Sequence, residues 1–94
     1  MTPQQLNLAA VCIARHDYGF GFASDDQVQI AAQVADDLHA VCDYLLGPYA
    51  ENDEHEKMFY SYCEYWLTEL KTTAPQERAR FWGWALDLAV RMLP

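Results

Sequence analysis

The sequence predicts an all-α fold, a compact antiparallel bundle of four helices, and three observations carry that expectation. Apolar residues recur at three- and four-residue spacing through most of the chain, and no segment alternates as a strand would. Four places also combine a capping residue with a helix-compatible run. At 94 residues, 52% hydrophobic and 14% aromatic, the chain is long enough for one modest core and reads as one acidic domain, 1–94.

The first helix is expected over about 3–16. Thr2-Pro3-Gln4-Gln5 puts Thr at the N-cap, Pro in the first turn and Gln at N3, a capping box with proline in its favoured slot. The run "YGFGF" ends it, with Gly19 available for a left-handed C-terminal residue. Ser24-Asp25-Asp26-Gln27 is a second capping box, with two carboxylates where the helix dipole favours them. From it one helix is expected over 25–46, roughly 33 Å long, stopped by Gly47-Pro48. A third is expected over 53–71, opened by Asp53-x-x-Glu56. A fourth spans 75–92, opened by Thr73-x-x-Gln76 with Pro75 in its first turn.

Wheels at about 100° per residue assign the faces. In 25–46, Ala31, Val34, Leu38, Val41, Cys42 and Leu45 fall on the core side, and Asp25, Asp26, Gln29, Gln33, Asp36, Asp37, Asp43 and Tyr44 fall opposite. In 53–71 the core stripe is Phe59, Tyr62, Cys63, Trp66, Leu67 and Leu70, leaving Tyr60 and Tyr65 outward. In 75–92 it is Trp82, Ala85, Leu86, Ala89 and Leu93, while Trp84 sits on the outer side with Arg80, Asp87 and Arg91. Asp87 and Arg91 have the spacing of an i,i+4 ion pair, and Arg80 could stack on Trp84.

Charge is the most informative total. The net charge is −8, and between His16 and Glu56 there are ten acidic residues and neither Lys nor Arg. Such a surface repels nucleic acid and membranes and attracts basic proteins. The balance reverses after Pro75, where Arg78, Arg80 and Arg91 outnumber Glu77 and Asp87. The carboxylates of 25–46 have no base at i±3 or i±4, so they repel one another by tenths of a kcal/mol per close pair.

Catalytic and metal chemistry find little purchase. Cys12, Cys42 and Cys63 are an odd number at wide spacing with no CxxC, which suits reduced core thiols in a cytoplasmic protein. His55-Glu56 is not followed by a second His at zincin spacing, and residues 51–56 lack the glycine of a calcium loop. Asp36, His39 and Asp43 share one helix edge and are the most metal-like grouping, yet their wheel position faces outward. No Ser or Cys pairs by pattern with a histidine, and no glycine-rich loop precedes a lysine. The expectation is a protein that is not an enzyme and has no metal or cofactor.

Binding remains. In size, acidity and helical character the chain resembles the phage-encoded anti-CRISPR inhibitors, several of which are acidic DNA mimics that block a surveillance complex. "SDDQVQIAAQVADD" and "YAENDEHE" carry the resemblance. It implies a partner-binding surface made of Asp25, Asp26, Asp36, Asp37, Asp43, Glu51, Asp53, Glu54 and Glu56, to which Tyr44, Tyr60 and Trp84 add contact area. The implied partner is a basic protein, such as a CRISPR surveillance complex or a nuclease, with no direct binding to nucleic acid or membrane. Two alternatives stay open. One is an immunity protein or antitoxin against a basic nuclease, although the exposed tyrosine pair followed by proline of the DNase-bacteriocin immunity proteins is missing. The other is an adaptor that forms a homodimer through Trp84.

Overall fold

A computed structural model describes residues 2–18, 24–35, 37–47, 53–72 and 80–92. Five helices span them: α1 (Pro3–Tyr18), α2 (Asp25–Val34), α3 (Leu38–Leu46), α4 (Asp53–Thr72) and α5 (Arg80–Met92). Among the described residues there is no strand, and no helix is long and apolar enough to cross a membrane. The all-helical expectation holds, whereas the four-helix bundle is replaced by five helices.

Their arrangement follows from α1. Its segment Leu8–Ala14, "LAAVCIA", is apolar on every side, and all seven residues are fully buried. A helix of that kind must be surrounded. It is: α4 and α5 make its broadest contacts, and α2 and α3 pack on each other and on α1. Ala9, Ala10 and Ala14 keep its surface low, so neighbouring helices can come close. The Thr2 capping box is present, with Thr2 N–H donating to Gln5 Oε1 (2.8 Å) and Gln5 N–H to Thr2 Oγ1 (3.2 Å). The radius of gyration, 12.2 Å, matches the value of about 12 Å for a compact chain of this length.

The single helix expected over 25–46 is two. After the Ser24 capping box, which forms in full, α2 ends at Val34 and Ala35 is extended. Asp37 is also extended and becomes the N-cap of α3, its carboxylate accepting from Ala40 N–H at 2.8 Å. Aspartate competes for backbone donors more effectively at a cap than inside a helix, so the sequence ADDLHA restarts the helix instead of continuing it. The break changes the phase. Val34, expected in the core, is 64% exposed, while Leu38, Val41, Cys42 and Leu45 are buried and Leu46 joins them. Helix α3 ends at Gly47, as expected.

Two further corrections concern α4. The helix begins at Asp53, so Asp53 is its first residue and does not stand before it as a cap. Phe59, Cys63 and Leu70 are buried as expected, but Tyr62 is 38% exposed and Tyr60 is the half-buried one, packed on the core. In α5, Ala85, Leu86, Ala89 and Met92 are buried, and Arg91 Nε donates to the Asp87 carbonyl (3.4 Å) in place of an ion pair with its carboxylate. The expected YGFGF turn, the Thr73–Gln76 cap and helix start at 75, Leu93 and the Arg80 side chain lie outside the described residues.

Candidate functional site

The acidic residues expected to form one ridge occupy three different structural settings. Asp25 and Asp26 stand in the first turn of α2, where the helix dipole stabilises them. Asp25 is matched by an ion pair from Arg15 of α1, a partner that helical spacing within 25–46 could not reveal. Asp26 is exposed. Asp37 is exposed and caps α3, and Asp36 and Glu51 lie outside the described residues. Asp53 and Glu54 are exposed in the first turn of α4, with Glu56 half-buried behind them.

Asp43 belongs to a seam between α3 and α4. Tyr60 OH donates to Asp43 Oδ1, the His39 ring stacks on Tyr60 (centroids 5.3 Å apart, planes at 26°), and His39 Nε2 lies 3.2 Å from Glu64 Oε1. Residue 43 faces 60 and residue 39 faces 64, so the two helices run antiparallel. Tyr60, expected as an outward contact residue, is instead the centre of this seam. His39 and Asp43 are two of the three residues of the metal-like edge, and the third, Asp36, lies outside the described residues. Here they bond to Glu64 and Tyr60, and among the described residues no group of three or more His, Cys, Asp and Glu is placed to hold a metal ion.

The thiols belong to the core. Cys12, Cys42 and Cys63 are free and buried. Burial is the main reason Cys12 is pushed up to about 11, with Arg15 pulling weakly the other way. Cys63 is raised far above the ordinary thiol range, first by its hydrogen bond with Cys42 and then by burial. A nucleophilic cysteine needs the opposite environment.

Among the described residues the exposed aromatics are Tyr44, Tyr62, Tyr65 and Trp84. Tyr44 on α3 is half exposed. Trp84 on α5 is 40% exposed, and its ring lies 5.8 Å from that of His16, tilted by 57°, so α1 covers part of it. On α4, Met58, Tyr62 and Tyr65 are exposed together at i, i+4 and i+7. Sequence reasoning missed this stripe because it placed Tyr62 in the core, although the helical spacing of the three residues was visible. No protein family, curated protein or solved structure matches the chain.

Proposed function

We propose that this protein is a non-catalytic inhibitor that docks on the basic groove of a nucleic-acid-binding protein or complex, in the manner of an anti-CRISPR DNA mimic. The observation that carries the reading is the base-free run from His16 to Glu56. Its carboxylates Asp26, Asp37, Asp43, Asp53 and Glu54 all reach the surface. The break between α2 and α3 makes the negative surface a set of separate helix ends rather than one straight ridge. Docking is then electrostatic in its rate and specificity.

The test is capture of a partner on the intact protein at low and high salt, with DNA as competitor. The expected result is a basic nucleic-acid-binding protein that is lost at high salt and displaced by DNA. A triple variant, Asp26→Lys with Asp53→Lys and Glu54→Lys, should lose that partner while retaining its helical circular dichroism. These positions are better than Asp37, whose cap a lysine would remove. Capture that resists both salt and the triple variant would overturn the reading. Recovery of a basic nuclease as the sole partner would instead favour an immunity protein or antitoxin, which meets the same electrostatic requirement.

A further inference from the structure

The exposed stripe on α4 is not explained by the negative surface alone. Met58, Tyr62 and Tyr65 are 42%, 38% and 56% exposed, three large side chains on one line of one helix. Glu54 stands four residues before Met58 and Glu69 four residues after Tyr65, so at about 100° per residue a carboxylate closes each end of the line. The basic residues of the same helix, Lys57 and Lys71, fall about 100° or more away from it. Beside the stripe, Tyr65 meets Trp66 edge-on (4.9 Å) and Trp66 meets Trp82 of α5 in the same way (4.4 Å). The Trp66 indole N–H is buried and has no acceptor among the described residues.

A ring face beside a carboxylate suits a guanidinium. The planar cation stacks on the aromatic face while its N–H groups reach the carboxylate, and a thioether next to it accepts the aliphatic stem. An ammonium satisfies the carboxylate but stacks less well. We infer that the Met58–Tyr62–Tyr65 stripe, closed by Glu54 and Glu69, is a docking surface for an arginine-bearing segment of the cationic partner. This rests on the electrostatic reading above. It adds that recognition is selective for arginine and centred on α4, whereas the acidic residues of α2 and α3 act mainly at long range.

The experiment is a titration of the isotope-labelled full chain with hexa-arginine and, separately, hexa-lysine, followed by the Met58 methyl and Trp66 indole resonances and by the backbone amides of all helices. Hexa-arginine should shift Met58, Tyr62, Tyr65 and Trp66 most and bind more tightly than hexa-lysine. The Tyr62→Ala, Tyr65→Ala double variant should weaken hexa-arginine roughly fivefold or more, leave hexa-lysine nearly unchanged, and keep its circular dichroism. Equal affinity for the two peptides, or shifts confined to Asp26, Asp37, Asp43 and Asp53, would overturn the arginine stripe and leave the electrostatic reading standing. Failure of both peptides to bind at low salt would overturn both.

Discussion

Helices α1 and α4 are similar in apolar content and opposite in use. Around Leu8–Ala14 the first is closed on every side. The second commits Phe59, Cys63 and Leu70 to the core and leaves Met58, Tyr62 and Tyr65 partly exposed. A wholly enclosed helix contributes stability and offers no partner anything to touch. A helix with two apolar lines, one buried and one exposed, contributes to the core and leaves large side chains where another molecule can touch them. The division explains how a chain of this size can hold a stable fold while keeping large side chains at its surface.

The sharpest way to break that comparison is to truncate one side chain from each class. Ile13→Ala in α1 should destabilise the protein by about 2–5 kcal/mol, because the enclosed site cannot collapse around the loss. Tyr65→Ala in α4 should cost less, about 0.5–1.5 kcal/mol, the worth of its edge-on contact with Trp66. Urea denaturation of the two variants measures both. Similar losses would mean that the α4 stripe is structural.

A second contrast separates the buried thiols from the exposed acids. Cys12 titrates at about 11 when folded, well above its unfolded value, so the folded state binds more protons in the interval between. Stability is therefore fully present below about pH 9, the ordinary value from which burial raises the thiol, and is lost as pH rises toward 11. At about 1.4 kcal/mol per tenfold change in proton affinity, Cys12 alone accounts for a loss on the order of 3 kcal/mol across that window. Cys63, raised in the same direction, steepens the fall. Chemical denaturation at a series of alkaline pH values should show it, and Cys12→Ala should flatten the curve.

What was legible beforehand divides along the same lines. The caps at Thr2 and Ser24 were readable because every atom involved lies within four residues. The α2–α3 break was not, since a wheel drawn through Asp36-Asp37 keeps its phase whether or not Asp37 acts as a cap. The exchange of Tyr60 and Tyr62 shows a different limit. Measured from the centre of the Phe59–Cys63–Leu70 line, the two tyrosines stand about 80° to either side, so periodicity alone gives them equal claims on the core. α3 decides between them by packing along the Tyr60 flank, where Asp43 and His39 meet it. The centrality of α1 was in principle visible in the unbroken apolar run LAAVCIA. The acidic composition was fully legible, but Arg15 neutralising Asp25 across two helices was not.

Replacing the cap at the break should have a smaller effect than either core change. Asp37→Ala removes the acceptor for Ala40 N–H and should cost about 1 kcal/mol, with Asp37→Asn close to neutral. An equal loss in both variants would show that the charge, and not the cap, matters at this position.

The smallest expected effect has the opposite sign and concerns α5. Gly83 lies inside that helix between Trp82 and Trp84, where glycine is about 0.5–1 kcal/mol less favourable than alanine. Helical glycines are often retained because a neighbour approaches too closely for a side chain. That reason is absent here, since a Cβ at Gly83 would meet no atom within 4 Å. Gly83→Ala should therefore raise stability by about 0.5–1 kcal/mol, measured as a higher denaturation midpoint with an unchanged slope. If the variant is stabilised and still captures its partner, Gly83 has no role in docking, and α5 joins α1 as scaffold. If it is stabilised and capture weakens, the partner reaches the α5 backbone between the two tryptophans, and the recognition surface extends from α4 across Trp66 and Trp82 onto α5.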